Sequence, residues 1–287
     1  MTRPEILIAG GDTRQLYCAE RLSRDFDIKL IGFDKKHIDS SVKLPFADSS
    51  DFGSFDYAVL PVPSLGQDGY IFTPCFSSQL TAEAIDGFLN DSGVIYAGRV
   101  DDRLRRMLPH REIYDYLTRE ELNLCNAIPT AEGAVQLALE ELPVTLNGLK
   151  VLIVGMGRIG CALAEILKGF GADITAAVHN PRGAAKARLH GIRSVPTKRL
   201  NGGYALIFNT VPKLIFDRES LSRFEPSALF IDVASKPGGI DLAAAQDLGI
   251  KAICASGLPG KTAPVTAGEI IADTVNAMIA ERGERIE

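Results

Sequence analysis

The chain has no apolar run long enough to cross a bilayer, and Met1-Thr2-Arg3-Pro4-Glu5 leads directly into a short strand instead of a signal peptide. It has no excess of positive charge. Its 31 Lys and Arg stand against 36 Asp and Glu, and the net charge of −5 gives no sign of a nucleic-acid-binding surface. Cysteine is scarce and unpatterned. Cys18, Cys75, Cys125, Cys161 and Cys254 are scattered, odd in number and never spaced C-x-x-C. That argues against a disulfide framework or a zinc site and for reduced packing residues of a cytoplasmic protein. Histidine is limited to His37, His110, His179 and His190, and no Ser-His-Asp set or metal cluster can be drawn. Low-complexity sequence is absent as well. What remains, in 287 residues that are 46% hydrophobic and 23% charged, is a globular protein long enough for two domains.

The richest stretch is Leu149-Lys150-Val151-Leu152-Ile153-Val154-Gly155-Met156-Gly157-Arg158-Ile159-Gly160. A run of branched apolar residues ends in G-x-G-x-x-G, and Cys161 to Phe170 then follow helical spacing. This order of strand, tight turn and helix is the dinucleotide-binding fingerprint. Gly155 allows the turn, Gly157 lets a pyrophosphate approach the backbone, and Gly160 lets helix and strand pack closely. The free N–H groups at the helix start then hold the phosphates.

Taken in order, the chain opens with a strand at Glu5–Ala9, a turn at Gly10–Gln15, a helix to about Arg24 and a strand from Asp27 to Phe33. Asp34 lies where a ribose-binding acid would, but GGDTRQ lacks the third glycine, so a second dinucleotide site is not expected. Two readings stand for Gly11, Asp12, Arg14 and Gln15: a polar pocket lip, or a helix merely capped by Asp12. A third strand at Tyr57–Leu60 leads to a loop over Ser64–Phe76. Ser78 or Thr81 then starts a helix to about Asn90, and Val94–Gly98 is a fourth strand. Asp101–Leu108 and Arg111–Glu121 read as surface helical turns, with Arg99 at a strand end able to face a pocket. Asn126-Ala127-Ile128-Pro129 breaks the chain before Thr130, which caps a connecting helix to Leu142 and places Glu132 in its first turn. Strand–helix alternation then resumes from Val151 to Cys254, which argues for a parallel sheet covered on both faces. The expected organisation is a first domain at 1–128, a linking helix at 129–143, a cofactor domain at 144–262 and a C-terminal segment at 263–287. The apolar face of that segment's helix, Ala267 to Arg282, either packs back on the first domain or offers a contact surface for a homo-oligomer.

Cofactor choice is read at the end of the second strand after the fingerprint. Val178-His179-Asn180-Pro181-Arg182 carries no acid for a ribose, and Asn180 and Arg182, with His179 beside them, suit a 2′-phosphate. NADP is therefore favoured over NAD. Three further strand ends carry unusual residues: Asn209-Thr210-Val211-Pro212, Asp232-Val233-Ala234-Ser235-Lys236-Pro237-Gly238-Gly239, and Ser256-Gly257-Leu258-Pro259-Gly260-Lys261. Ligands of open parallel sheets bind outside such ends. Thr210, Val211, Pro212, Val233 and Ala234 are placed along the cofactor, and Lys236, Gly257, Leu258, Pro259, Arg14, Arg99 and Ser78 on the substrate side. The cations at strand ends suit an anionic substrate.

From end to end the chain resembles the A subunit of dipicolinate synthase from spore-forming bacteria. The resemblance rests on GGDTRQ (10–15), LPV (60–62), CFSS (75–78), YAG (96–98), NAIPTAEG (126–133), GMGRIG (155–160), NTVP (209–212), DVASKPGGID (232–241) and GLPGKTAPVTAG (257–268). It implies two Rossmann-like doubly wound α/β domains in a 2-hydroxyacid-dehydrogenase-like architecture with linking helices. It also implies oxidation of a dihydrodipicolinate, formed from a lysine-pathway heterocycle, to dipicolinate, with hydride passing to NADP. A flavoprotein-like B subunit is the implied partner, in the mother-cell cytoplasm during sporulation. The family tends to carry an arginine where this chain has His179, so the NADP preference rests on Asn180 and Arg182.

This chemistry fits the inventory. Hydride loss from a dihydropyridine gains aromaticity, so the accompanying proton needs only a modest acceptor: Glu132, Asp12 or water. A dicarboxylate needs cations or N–H groups at two ends, which Arg14, Lys236 and the glycine-rich strand ends offer. Two alternatives stand beside it. A hydroxy- or keto-acid dehydrogenase would carry a catalytic histidine near the last strand, and no histidine follows residue 190. A non-catalytic NADPH-binding regulatory subunit would need no acid–base group.

Overall fold

Short branched runs bounded by glycine, proline and aspartate form the strands, because only strands buried on both faces bury every side chain of such a run. The protein is seen in a computed structural model that describes residues 3–38 and 42–283. It divides into two units, Met1–Cys125 with Ala263–Glu287, and Asn126–Thr262.

The first unit contains β1 (Glu5–Ala9), α1 (Thr13–Leu22), β2 (Asp27–Ile31), β3 (Phe55–Val59), α2 (Ala82–Asp86), β4 (Leu89–Ala97), α3 (Asp102–Met107) and β5 (Ile113–Asp115). Its sheet is parallel, in the order β2-β1-β3-β4-β5. Alternation along β1 sends Ile6 and Ile8 to one core and Leu7 and Ala9 to the other, all four fully buried.

Two sequence expectations fail here. Only Ala82–Asp86 is helical behind the Thr81 cap, and the chain is already a strand at Leu89. Of the helical turns expected over Arg111–Glu121 only Tyr116–Thr118 and the start of the next helix at Glu120 are helical; before them stands β5, where Ile113 pairs with Ile95 and is buried while Tyr114 stacks on Tyr96. Three residues are too few for any periodicity to announce them.

Next comes α4 (Glu120–Glu141), a single helix within which the division between the units falls. The expected break at Pro129 does not occur. Proline removes one backbone donor, but burial of Leu122 on one side of it and of Ala131, Ala134 and Ala138 on the other outweighs that loss. Thr130 is consequently no cap: its hydroxyl donates back to the Asn126 carbonyl at 2.6 Å.

The second unit alternates β6 (Lys150–Val154), α5 (Arg158–Gly169), β7 (Asp173–Val178), α6 (Pro181–Leu189), β8 (Arg193–Pro196), β9 (Leu206–Asn209), α7 (Arg218–Leu221), β10 (Leu229–Asp232), α8 (Leu242–Asp247), β11 (Lys251–Cys254) and α9 (Leu258–Thr262). The strand order β11-β10-β9-β6-β7-β8 is that of a doubly wound dinucleotide-binding sheet. Two cores flank it, one around Val151, Ile153 and Leu163 and the other around Leu152, Val154 and Phe230. Among the described residues no helix is long and apolar enough to cross a membrane.

The last helix, α10 (Pro264–Glu281), completes the first unit. Ile271, Ala272, Val275 and Ile279 enter the same core as Leu16, Ala19 and Leu22 of α1. Gly268 makes the crossing possible: a Cβ there would stand 2.4 Å from the Arg14 carbonyl oxygen and 2.7 Å from Tyr17 Cβ. Gly268→Ala should therefore lower the thermal unfolding midpoint by about 2–8 °C, because overpacking by about 1–3 kcal/mol exceeds the gain in helix propensity. Gly169→Ala, where a Cβ meets nothing within 4 Å, should leave the midpoint unchanged or raise it. Differential scanning calorimetry of both variants checks the contrast.

Candidate active site

The carboxyl edge of the second sheet begins at the glycine turn. Gly155 has φ +93°, which favours glycine, and a Cβ there would fall 2.6 Å from Thr210 Oγ1. Gly160 lies against the turn, where a Cβ would approach the Gly155 carbonyl oxygen to 2.0 Å. Gly157 is different. It precedes α5 with φ −84° and ψ −160°, a conformation open to any residue, and a Cβ there would meet nothing within 4 Å. Among the described residues no side chain caps the α5 N-terminus, so the first-turn N–H groups stay available to an anion. These features fit a dinucleotide pyrophosphate. Met156 is buried in the core and Ile159 packs against it, so only their backbone faces this space, whereas Arg158 is exposed.

β9 lies beside β6 at the topological switch point. The Thr210 hydroxyl donates to the Val154 carbonyl at 2.8 Å, pinning the two strand ends together. Behind it sits a buried polar pair that the sequence did not announce. Asn209, fully buried, donates from Nδ2 to Asp232 Oδ1 at 2.8 Å and to the Val211 carbonyl at 3.0 Å. Asp232, 3% exposed, also accepts from the Ala234 N–H at 3.1 Å and the Gly239 N–H at 2.7 Å. One side-chain contact thus shapes both turns, that of Thr210-Val211-Pro212 and that of Val233-Ala234. Lys236 is exposed on the second turn, while the Val233 and Ala234 side chains are buried.

At the end of β7, His179, Asn180 and Arg182 are exposed. Asn180 is already engaged: its Oδ1 accepts the Gly183 N–H at 2.8 Å as the cap of α6, and its amide nitrogen lies 3.2 Å from His179 Nε2. Among the described residues no hydrogen bond or ion pair engages Arg182. After β11, Gly257 has φ +70° and Pro259 is partly exposed, but the Leu258 side chain packs in the core with Ala131 and Ala134 and so faces no ligand. Glu132 is not brought to the glycine turn either. It is exposed in a groove beside Ile166 and Phe170, about two and a half turns or more along α5 from Gly157.

The first unit presents its own carboxyl edge. Gly10 and Gly11 have φ +63° and +99°, and their N–H groups donate to the Ile31 and Phe72 carbonyls at 2.8 Å. Asp12 serves in both of the roles the sequence left open. Its carboxylate caps α1 through the Arg14 N–H at 3.1 Å and also holds the Arg14 side chain, with Nε at 2.9 Å and Nη2 at 2.8 Å. Arg14 Nη2 donates again to the Val62 carbonyl at 3.2 Å, across the switch between β1 and β3. Burial works against this guanidinium's charge, but the hydrogen bonds and charge of Asp12 outweigh it and hold Arg14 protonated. The bidentate fork that sequence reasoning offered to a substrate is therefore occupied. Gln15 is buried and donates to the Val59 carbonyl at 3.0 Å, and Ser78 is exposed in a shallow hollow with Gln67, Asp68 and Tyr70.

Arg99, two residues past the end of β4, has φ +57°, the one non-glycine residue with positive φ among the described residues. Asp115 Oδ1 accepts its N–H at 3.1 Å, Asp115 Oδ2 accepts the Val100 N–H at 2.9 Å, and the Ser64 hydroxyl donates to its carbonyl at 3.2 Å. The neighbouring Tyr116 is fully buried and donates to the Leu60 carbonyl at 2.8 Å, and burial raises its phenol well above the ordinary range. Ser64, Asp115 and Tyr116 were invisible in the sequence because their partners lie far away along the chain.

Residues 128–240 match the model of the D-isomer specific 2-hydroxyacid dehydrogenase NAD-binding domain. Residues 5–117 match that of the N-terminal domain of the dipicolinate synthase A subunit. Two doubly wound sheets with this glycine turn define a nicotinamide-dinucleotide-binding oxidoreductase of the 2-hydroxyacid dehydrogenase architecture. The chain is 31% identical to the A subunit of dipicolinate synthase from Bacillus subtilis, over 98% of its own length and 97% of that protein. The crystal structure of that Bacillus subtilis protein superposes with a TM-score of 0.86 at 30% identity, covering 99% of each chain. The chain belongs to the family of dipicolinate synthase A subunits, as its motifs led us to expect. D-lactate dehydrogenase from Escherichia coli, with a TM-score of 0.61 at 14% identity over 98% of each chain, shares the fold.

The glycines of the turn separate binding from stability. Gly157→Val should leave the unfolding midpoint near that of the native protein while weakening binding of the reduced nicotinamide dinucleotide tenfold or more. Gly160→Ala should lower the midpoint by several degrees, on the order of 1–3 kcal/mol of overpacking. Fluorescence titration with NADH and with NADPH, beside thermal unfolding, reads both effects.

Proposed function

We propose that this chain oxidises dihydrodipicolinate, formed from 4-hydroxy-tetrahydrodipicolinate by loss of water, to dipicolinate. NADP is the acceptor, and the chain acts together with a B subunit in the mother-cell cytoplasm of a sporulating bacterium. The observation that carries this reading is the likeness, along 98% of the chain, to the A subunit of dipicolinate synthase. The absence of any histidine after residue 190 supports it against a hydroxyacid dehydrogenase.

The residues divide the work by their chemistry. The first-turn N–H groups of α5, with Gly155, Gly157 and Gly160 around them, hold the pyrophosphate. Arg182, aided by His179, takes the 2′-phosphate at an edge that offers no acid to a ribose. Thr210, Val211, Pro212, Val233 and Ala234 line the rest of the dinucleotide through turns held by Asn209 and Asp232. When bound, the oxidised nicotinamide supplies the hydride acceptor. The ring carbon gives up a hydride and the ring a proton, and the product is the aromatic pyridine dicarboxylate. Aromaticity drives the step, so the proton passes to water: Asp12 is committed to its ion pair with Arg14, and Glu132 lies in the α4–α5 groove. Lys236 and Arg99 are the exposed cations offered to the carboxylates, and the exposed Gly257 leaves room for close backbone approach; Gly11 does not, since it is buried against Gln15 and Pro61. A homo-oligomer and a flavoprotein-like B subunit complete the proposed assembly.

Freshly made 4-hydroxy-tetrahydrodipicolinate with NADP and the B subunit should yield dipicolinate, read by terbium luminescence, with NADPH formed in equal amount by absorbance. No product with the partner present would sink the assignment. Arg182→Ser should lower kcat/KM with NADP by about 10–100-fold relative to NAD, the range of one charge-assisted phosphate contact. An unchanged ratio would remove Arg182 from the site.

A further inference from the structure

Two observations on the first unit's rim belong together. Arg14, the cation best placed by the sequence, spends Nε and Nη2 on Asp12 and Nη2 also on the Val62 carbonyl. Arg99 spends nothing of its guanidinium: among the described residues no hydrogen bond or ion pair engages it, and its side chain is exposed. Yet its backbone is the most constrained of the edge. A φ of +57° is strained for any residue that bears a Cβ, and glycine would occupy it freely. Such strain persists only where the surroundings over-determine it. Here they do, because Asp115 accepts the N–H groups of both Arg99 and Val100 while Ser64 donates to the Arg99 carbonyl.

Asp115 is itself fixed. Its Oδ1 also accepts the Leu117 N–H at 2.9 Å, and its carbonyl accepts the Thr118 hydroxyl at 2.7 Å. The next residue, Tyr116, is locked to the Leu60 carbonyl. Arg99, Ser64 and Asp115 thus join the carboxyl ends of β3, β4 and β5 in one bonded rim, and the guanidinium is the part of the rim left uncommitted.

We propose that Asp115 is a positioning residue for substrate. By accepting the N–H groups of Arg99 and Val100, it holds Arg99 in the left-handed conformation that presents its guanidinium to one carboxylate of the substrate. The inference rests on the dicarboxylate reading above. It assigns the anchor in the first unit to Arg99 and leaves Arg14 with a structural task. The left-handed backbone sets the direction in which the side chain leaves the strand end, so loss of the Asp115 clamp costs binding before it costs the chemical step.

The test uses the full chain and pyridine-2,6-dicarboxylate as probe, by calorimetric titration, beside steady-state kinetics. Arg99→Gly should keep or raise the unfolding midpoint, because the strain is relieved, and should weaken probe binding tenfold or more. Arg99→Lys should recover part of that loss. Asp115→Asn should weaken binding in the same direction and raise KM more than it lowers kcat, with NADPH affinity unchanged. The double variant Arg99→Gly/Asp115→Asn, in which glycine needs no clamp, should bind no worse than Arg99→Gly alone. Native probe affinity in either Arg99→Gly or Asp115→Asn overturns the proposal, as do additive losses in the double variant or a native chain that does not bind the probe. If the probe binds and the variants behave as stated while no dihydropyridine is oxidised, the positioning role stands and the proposed reaction falls.

Discussion

The dominant constraint on this protein is that both sheets are covered on both faces. Residues Ile6 to Ala9 and Val151 to Val154 are each fully buried, and their backbone polar groups are consumed by the parallel ladders. A strand of this kind has no side chain left for chemistry. Function is pushed off the sheet to the carboxyl ends, where strands turn into helices and N–H groups come free. Asn209 and Asp232 are the exception that serves the rule. They sit buried at the last position of their strands, bonded to each other, and they spend their remaining capacity on the backbone of the turns just beyond.

The two edges solve their electrostatics in opposite ways. In the second unit the edge offers the first-turn N–H groups of α5 and the exposed Arg182, which no hydrogen bond or ion pair engages among the described residues. In the first unit Arg14 is matched by Asp12 before any ligand arrives, and a carboxylate that displaced Asp12 would leave that acid partly buried without its partner. An arginine at a strand end is therefore only half a statement about ligands. The other half is whether its fork is already filled.

Most of the fold was legible because its signals are local. Val151 to Val154 announces a buried strand by composition, and Gly155, Gly157 and Gly160 announce three different backbone demands by spacing. What escaped the sequence depends on residues distant along the chain. β5 is too short to show a period and exists because β4 offers it a ladder. α4 runs through Pro129 because small buried residues beyond it repay the lost hydrogen bond. The Arg14–Asp12 fork, the Asp115 clamp and the packing of Leu258 and Gly268 are decided by partners that no local window contains. Glu132 suited a first helical turn only while Thr130 was taken as its cap.

The placement of α10 also orders events in time. The face of α1 that carries Leu16, Ala19 and Leu22 is closed by residues encoded after the whole of the second unit. On a ribosome adding about 5–20 residues per second, the first unit waits on the order of ten seconds for that closure. Until then the α1 face lacks the helix that covers it, whereas the second unit is encoded without interruption. The α1 face is thus the last surface of the first unit's core to be closed during synthesis, and α10 is the helix that closes it.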